Sequence, residues 1–374
     1  MRHVLAIIGT LIAVSAIQAA PLGLPEVPIP ADNPQSEAKV TLGDKLFHDK
    51  RFSATGEVSC ATCHEREKGF TDHLRVSEGI NKLTGTRNAP TVINAAYLET
   101  QFWDGREPSL EEQSAQPFLN PVEMALPDHE PIQKIVRSDP EYTRLFKAAF
   151  GKSGEAISMN EVKKAIASFE RTVVFGNSPF DRYMYGSEKN AMTPAQIRGL
   201  KVFTGQGRCV SCHVIEQTQA LFTDNRFHNI GVGFMRIKGK EEETGAEFLK
   251  SKRAGTDVDI TVLTAEKLSE LGRFAVTENI SEVGAFKTST LRNIAVTPPY
   301  MHDGSLQTLE DVVDFYDIGG RMKEKDPFSS FQSGGIRPLN LSEQQADDLV
   351  EFLKALTSPE YTQLADKLEQ GAGK

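Results

Sequence analysis

The chain has 374 residues, of which 39% are hydrophobic and 25% are charged, a composition that excludes an extended disordered protein and suits one large or two ordinary domains. Its 42 basic and 51 acidic residues give a formal net charge of −9. This acidic balance argues against a nucleic-acid surface and fits a partner protein that presents a positive patch. No nucleic-acid partner is therefore expected.

The first predicted element is a targeting segment. A basic Arg2 precedes an apolar run over residues 4–17, which is too short to span a bilayer of ~30 Å, and the small residues Ala19 and Ala20 follow. This pattern predicts a secretory signal peptide over residues 1–20, with retention as an N-terminal anchor as the alternative. The mature protein is then expected in the periplasm, without a transmembrane segment.

All four cysteines fall in two copies of the pattern C-x-x-C-H, namely Cys60-Ala-Thr-Cys63-His64 and Cys209-Val-Ser-Cys212-His213. This spacing is typical of covalent c-type haem attachment, because the two thiols form thioethers and the next imidazole reaches the iron. A zinc ribbon and a thiol redox motif are the alternatives. The wide separation of the pairs and the histidine after each pair favour two haems, with His64 and His213 as proximal ligands.

Blocks around the two haem motifs recur in the same order, which indicates an internal duplication. The matching blocks are Leu42-Gly-Asp-Lys-Leu-Phe47 with Arg198-Gly-Leu-Lys-Val-Phe203, Gly69-Phe-Thr-Asp72 with Leu221-Phe-Thr-Asp224, and the run from Trp103 with the run from His302, and Arg87-Asn88 and Arg292-Asn293 lie upstream of that last pair. The sequence thus predicts a mainly α fold of two duplicated cytochrome c-like domains, over residues 21–180 and 181–374. The second domain carries extra sequence, roughly residues 234–283, whose first half looks charged and loop-like.

Capping signals mark the clearest helices. The starts are Ser158-x-x-Glu161, Thr193-Pro-x-Gln196 and Ser342-x-x-Gln345. The domain boundary is placed between Val174 and Met192, in a stretch rich in Gly, Asn, Ser and Pro. The last helix is a candidate to pack back on the first domain, and any strands are expected to be short.

The two halves differ on the helix that follows each Asp-Gly corner. In the second half one predicted face carries Leu309, Val312, Val313 and Tyr316, and the same register in the first half carries Leu110, Gln113, Ser114 and Pro117. A phenolate can bind haem iron, whereas a proline cannot. If this face covers each haem, one iron is closed by Tyr316 and the other is open. A tyrosine that only packs in the core is the alternative.

An open haem that binds peroxide needs a proton carrier to cleave the O–O bond. Glu123 is the candidate for that role, with a solvated loop glutamate as the alternative. Trp103, the only tryptophan, is a candidate redox relay or a packing residue. Further candidates for a sixth iron ligand are His48, His73, His129, His228 and His302, and more weakly Met301 and Met322.

These residues resemble those of bacterial di-haem cytochrome c peroxidases and MauG. Besides the two haem motifs, the resemblance lies in Arg87-Asn-Ala-Pro-Thr91, Phe102-Trp-Asp-Gly-Arg106, Leu291-Arg-Asn293 and Pro299-Tyr-Met-His-Asp-Gly304. It runs from about Ser36 to Leu356, nearly the whole expected mature chain. These blocks are long and stand in the family's order.

The resemblance implies roles for the two sites. The haem of His64 is then the peroxide site, and the haem of His213 receives or stores electrons. Trp103 couples the two haems, while Gln113 and Glu123 line the peroxide pocket, with Glu123 as the acid/base group.

The resemblance also implies one structural Ca²⁺ between the haems. Its protein ligands carry over to Asn88 and to the backbone carbonyls of Thr297 and Pro299. Oxygen ligands suit this hard cation.

Two positions depart from the peroxidase pattern. Many of those peroxidases carry a distal histidine where this chain has Ile80, so the resemblance does not imply the reductive activation step that releases this histidine. They carry methionine where this chain has Tyr316, whereas MauG has tyrosine there. The resemblance therefore strengthens Tyr316 as an iron ligand, and an anionic oxygen favours the higher oxidation states of iron.

Three functions follow as hypotheses. The leading one is a peroxidase that reduces hydrogen peroxide with electrons from a small cytochrome or cupredoxin. The second is a MauG-like enzyme that oxidises residues of a specific partner protein, with tyrosines such as Tyr300 or Tyr316 replacing tryptophan in the exit path. The third is a di-haem electron carrier with both irons six-coordinate.

Overall fold

A computed structural model describes residues 20–320 and 332–372 of the chain. Residues 1–19 of the predicted signal peptide and the candidate ligand Met322 lie outside the described residues. The described part is mainly helical, which confirms the expected fold class. Its two strands, Phe227–His228 (β1) and Phe286–Lys287 (β2), pair antiparallel.

The first half contains seven α-helices among its described residues. They are α1 (Glu37–His48), α2 (Cys60–Cys63), α3 (Leu110–Gln113), α4 (Gln116–Leu119), α5 (Glu130–Ser138), α6 (Pro140–Phe150) and α7 (Met159–Glu170). The helices that follow are α8 (Pro179–Met184), α9 (Pro194–Thr204), α10 (Glu241–Arg253), α11 (Val258–Thr264), α12 (Glu266–Ser269), α13 (Phe274–Thr277), α14 (Leu309–Asp317), α15 (Glu343–Lys354) and α16 (Thr362–Ala372). No helix in the described ranges is both long enough and apolar enough to cross a bilayer.

The predicted helix starts are confirmed. Ser158, Thr193 and Ser342 each form a reciprocal capping box with the third residue of α7, α9 and α15. These boxes satisfy backbone N–H groups that would otherwise lack a partner at the helix start.

The duplication is visible in two equivalent helix crossings, α1 on α7 and α9 on α15. A Cβ on Gly43 would lie 1.9 Å from the carbonyl oxygen of Ala165, and a Cβ on Gly199 would lie 1.8 Å from that of Asp348. Only glycine permits this approach. The repeated Gly-x-x-x-Phe of the two blocks therefore marks one packing device used twice.

The phenylalanine one turn after each glycine completes the crossing. The rings of Phe47 and Phe169 have centroids 5.1 Å apart, and those of Phe203 and Phe352 are 5.0 Å apart. Tilted aromatic contacts of this kind add to the burial of apolar area. Each crossing anchors its own buried apolar cluster.

The segment between the two helix crossings and the segment after them also pack against the two apolar clusters. The stretch placed at the domain boundary contains α8, whose Phe180 is buried in the second cluster. From α16, Leu364 and Leu368 pack against the first cluster, and the Tyr361 ring meets Phe175 at 5.2 Å. Helix α16 and the residue before it thus contact the first half.

The asparagine of Arg292-Asn293 has its structural counterpart at Asn94, not at Asn88. Asn94 and Asn293 both adopt a positive φ, 62° and 60°. Asn94 N–H donates to the carbonyl of Val173 and Asn293 N–H to that of Leu356. Both residues therefore begin the same turn in the two halves.

The expectation of a loop in the first half of the inserted segment is wrong. Helix α10 occupies it, with acidic residues in its first turn and basic residues in its last turn. This charge order complements the helix dipole. Phe248 on its inner face is buried in a third apolar cluster formed by the insertion.

Candidate functional site

Both motif histidines are oriented in the same way. The Nδ1 atom of His64 lies 3.2 Å from the carbonyl oxygen of Phe70, and that of His213 lies 2.8 Å from the carbonyl oxygen of Phe222. Nδ1–H donates to the carbonyl, so Nε2 keeps its lone pair for a metal. Burial lowers the pKa of both histidines, which favours the neutral ligand form.

The cysteines of each motif line the same cavity as their histidine. Cys60 and Cys63 line one cavity with His64, and Cys209 and Cys212 line another with His213. None of these four cysteines, all within the described residues, forms a disulfide. Because the two pairs line different cavities, they do not form one zinc site. Two thiols beside an imidazole with a free Nε2 are the donor set that suits a covalently bound haem.

The larger cavity has a volume of about 520 Å³, within the usual range for a cofactor site. Val312, Val313 and Tyr316 of α14 line it, as the register of the sequence predicts. The Tyr316 hydroxyl makes no hydrogen bond to any residue in the described part of the chain, and burial raises its pKa. An unpaired phenol in this cavity fits an iron ligand.

The larger cavity is also lined by three other candidate ligands, His228, His302 and Met301. Nε2 of His228 lies 2.9 Å from a carboxylate oxygen of Asp224, and Nε2 of His302 lies 2.9 Å from one of Glu270. These carboxylates hold both imidazoles, whereas Tyr316 has no such partner among the described residues.

The other candidate histidines lie elsewhere. His73 contacts the carbonyl of Val296 at 2.9 Å, and His129 contacts that of Ala115 at 3.3 Å. His48 is an exposed neighbour of Asp44. None of these three lines either cavity.

The smaller cavity, which His64 lines and which we call the first cavity, has a volume of about 140 Å³. Gln113 and Pro117 are in its wall. His64 is its only lining histidine within the described residues. The helix expected to run through both positions is interrupted, because α3 ends at Gln113 and α4 begins at Gln116. Ser109 caps the start of α3, where its side chain accepts a hydrogen bond from Glu112 N–H.

Glu123 lines the first cavity, and its backbone contacts the segment at Gly79 and Ile80. Its carbonyl accepts a 2.9 Å hydrogen bond from Ile80 N–H, and a Cβ on Gly79 would lie 2.0 Å from the carbonyl of Val122. Burial raises the pKa of Glu123 to about 8, with Asp259 raising it further and Arg106 opposing. Glu123 therefore lies where it can carry a proton near neutral pH.

A chain of buried charges behind Glu123 was not expected from the sequence. Arg87 and Arg106 both donate to Asp104, at 2.6 and 3.0 Å, and Arg106 also donates to Asp259 at 2.9 Å. Arg106 and Asp259 lie 153 residues apart, so no local pattern joins them. The one available signal is that Arg106 stands in a repeated block whose second copy has Ser305.

Trp103 lines both cavities. Its indole N–H donates to the carbonyl of Asn88 at 2.8 Å, and its own carbonyl accepts from Lys287 N–H at 2.8 Å. The only tryptophan is thus fixed in the wall between the two sites.

The three residues assigned to calcium all line the larger cavity next to Trp103. The amide nitrogen of Asn88 donates to the carbonyl of Leu74 at 3.0 Å, which leaves the side-chain oxygen without a hydrogen bond. The carbonyls of Thr297 and Pro299 accept no hydrogen bond from the described residues. Three unpaired oxygens in one wall suit a hard cation.

Two cavities, each with a Cys-Cys-His set on a cytochrome c-like core, define a di-haem protein with two unlike sites. The family model described as di-haem cytochrome c peroxidase matches residues 37–189. The chain is 35% identical to the cytochrome-c peroxidase IdrP1 of Pseudomonas sp. (strain SCT), over 95% of this chain and 90% of that protein. It is 37% identical to the methylamine utilization protein MauG of Methylorubrum extorquens, over 88% and 81%.

A solved structure agrees with these relatives. The crystal structure of a MauG-like protein associated with microbial copper homeostasis superposes with a TM-score of 0.73 at 34% identity, over 91% of this chain and 95% of that one. The chain therefore belongs to the di-haem cytochrome c peroxidase and MauG family. It is a haem oxidoreductase with two haem cofactors.

Proposed function

We propose that the protein is a periplasmic peroxidase that reduces hydrogen peroxide at the first haem, with electrons that a small redox protein delivers through the second. The observation that carries this proposal is the unlike lining of the two cavities. Pro117, which cannot bind iron, stands in the first cavity where Tyr316 stands in the second. A haem iron bound in the first cavity would thereby keep one site open to a small oxidant.

Both haems are proposed to be covalently attached haem c. Cys60 and Cys63 would hold the first and Cys209 and Cys212 the second. His64 and His213 would be the proximal ligands, with Tyr316 as sixth ligand of the second iron. When bound, the first haem supplies the vacant iron site and the electrons that peroxide cleavage requires.

Glu123 and Gln113 are the polar residues of the first cavity that we assign to peroxide. In its ionised form the Glu123 carboxylate would accept a proton from one peroxide oxygen and return it to the other, which leaves as water. Two electrons and two protons in total convert each peroxide to two waters. The Gln113 amide would orient peroxide by hydrogen bonding.

The remaining assignments support electron flow between the sites. Trp103 couples the haems, and a Ca²⁺ held by Asn88, Thr297 and Pro299 fixes the wall in which it lies.

Residues 1–20 direct export to the periplasm. The net charge of −9 favours a donor with a positive docking patch.

Steady-state turnover of peroxide with a reduced small cytochrome or cupredoxin tests the proposal. Glu123→Gln should lower turnover by about 10²–10⁴-fold, the usual range for a general acid–base group. Glu112→Gln is the matched control, because that glutamate forms a surface pair with Lys163 outside the cavity. Unchanged turnover in Glu123→Gln would remove that residue from the mechanism.

The second candidate, oxidation of residues on a specific partner protein, is favoured by Tyr316 and by Ile80 in place of a distal histidine. It predicts a long-lived oxidised protein after peroxide and poor turnover with small donors. Mass shifts on a co-purified partner would identify the substrate. A plain electron carrier, the third reading, predicts a ferric EPR spectrum without a high-spin signal and no binding of cyanide.

A further inference from the structure

The segment inserted in the second half, residues 234–283, lies against the cavity of the first half. Leu263 lines the first cavity, and Val122 next to Glu123 packs on the apolar cluster of the insertion. Thr86 Oγ1 donates to the carbonyl of Val262 at 2.7 Å. The second domain thus supplies part of the wall of the first site.

Asp259 is the charged residue that this segment brings to the first site. It stands at the start of α11, where its N–H donates to the capping carboxylate of Asp257 at 2.7 Å. One of its carboxylate oxygens accepts from Arg106 Nε at 2.9 Å, and the other accepts from the Asn120 amide at 2.6 Å. The carboxylate therefore joins a cation and the turn before Glu123.

That turn leads directly to the proposed acid/base group. Asn120 accepts from Val122 N–H through its side chain at 3.1 Å and from Glu123 N–H through its carbonyl at 3.1 Å. A shift of the Asn120 side chain would move the backbone that carries Glu123. Asp259 fixes the Asn120 side chain by accepting a hydrogen bond from its amide nitrogen.

The same carboxylate balances the charge of Arg106. The side chains of Arg87, Asp104, Arg106 and Asp259 are 3%, 0%, 5% and 6% exposed, and they alternate in sign. Two cations and two anions leave the buried chain neutral. Because charge interactions are poorly screened in the interior, loss of one anion would leave a net cation facing Glu123.

We propose that Asp259 is a positioning residue of the peroxide site, contributed by the insertion of the second domain, which fixes the turn before Glu123 and offsets the positive charge of Arg106 beside that glutamate. This inference rests on the proposed acid/base role of Glu123. The charged groups that act on Glu123 are Asp259 and Arg106, and Arg87 and Glu170 line the same cavity. Cys63, a further titratable neighbour, would be held in a thioether.

The test is Asp259→Asn in the haem-loaded protein, with two measurements as a function of pH. The first is the infrared band of the protonated Glu123 carboxyl, identified by its loss in Glu123→Gln. The second is the rate constant for reaction with peroxide. Both midpoints should move to lower pH by about one unit, because a nearby uncompensated cation favours the ionised carboxylate.

Asp257→Asn is the matched control. Asp257 is exposed two residues away at the same helix start, and asparagine keeps the cap while removing the same charge. This variant should leave both midpoints unchanged. Midpoints that stay in place in a folded Asp259→Asn protein would overturn the inference.

A double variant covers the case in which Asp259→Asn folds poorly. Asp259→Asn with Arg106→Gln removes both charges, so the infrared midpoint should lie near that of the wild type; a midpoint about one unit below that of the wild type would overturn the inference. If the wild type does not react with peroxide while the infrared midpoint still shifts, the proposed function fails and the inference on Asp259 stands.

Discussion

The indole N–H of Trp103 donates to the carbonyl of Asn88, and Asn88 N–H donates in turn to the carbonyl of His302, each at 2.8 Å. Trp103 and His302 are the first residues of the two matching blocks, so one asparagine connects equivalent positions of both halves. Their rings meet edge to face with centroids 6.5 Å apart. The wall between the two cavities is therefore built from both halves and held by backbone groups.

Trp103→Phe should slow electron transfer between the haems while both haems remain bound. The substitution removes the indole, which lines both cavities, and one hydrogen bond worth about 1 kcal/mol. Stopped-flow absorbance that resolves the reduction of each haem measures the effect. Equal rates in the variant and the wild type would show that the haems communicate by another route.

Removal of calcium should lower the thermal midpoint of unfolding and slow the same transfer. A cation that binds only the folded chain stabilises it by mass action. The midpoint should fall when a chelator is added to the wild type, whereas Asn88→Ala should start lower and respond little. A wild type that loses measured calcium without any change in midpoint would contradict the assigned site.

The elements that the sequence predicts well are those with a local physical signal. The caps at Ser158, Thr193 and Ser342 form within one helical turn, and the repeated Gly-x-x-x-Phe block carries the helix crossing in both halves. The lining of each cavity follows from the 3.6-residue period around Gln113 and Tyr316.

The parts that escaped prediction depend on contacts between distant segments. Asp259 meets Arg106 across 153 residues, and no spacing rule relates them. Helix α10 has a high charge density and only one narrow buried face, so its sequence resembles a loop. Its helical form becomes clear only when Phe248 enters the apolar cluster of the insertion.

Gly43→Ala and Gly199→Ala should each destabilise the fold. The added methyl would meet a backbone carbonyl at 1.9 or 1.8 Å, so the helices of each crossing must separate. Overpacking of this kind costs about 1–3 kcal/mol. Urea unfolding measures the loss, and Gly371→Ala in α16, with open space around its Cβ, is the control and should not destabilise. A neutral Gly43→Ala would contradict the crossing.

Tyr316→Phe should open the second haem. Loss of the phenolate removes the proposed sixth ligand, so the second iron should become high-spin and its reduction potential should rise. Ferric EPR and a redox titration measure the two effects. Tyr300→Phe is the control, because Tyr300 lines the same cavity but its hydroxyl donates to the carbonyl of Ile294 at 3.1 Å. An unchanged spectrum in Tyr316→Phe would rule out oxygen ligation.

Glu170 occupies in the first half the position that Leu353 occupies in the second, one residue after the phenylalanine of each helix crossing. Both line the cavity of their own half. Glu170 is 5% exposed, and one of its carboxyl oxygens has no hydrogen-bond partner among the described residues. Burial raises its pKa from 4.5 to about 8, with Arg171 lowering it and Glu111 raising it.

This buried carboxyl group should make stability depend on pH. Between pH 4.5 and about 8 the folded protein holds a proton on Glu170 that the unfolded chain has released, so the free energy of unfolding falls as pH rises through this window. Glu170→Leu should remove that contribution, and its gain in thermal midpoint over the wild type should grow across the window.

Glu161→Gln is a contrasting variant, because the pKa of Glu161 is lowered to about 2 by hydrogen bonds from Lys152 and Ser158 that offset its burial. Its deficit in midpoint should be already present at pH 4.5 and level above it. A gain in Glu170→Leu that is the same at every pH would show that the Glu170 carboxyl is not held protonated in the folded protein.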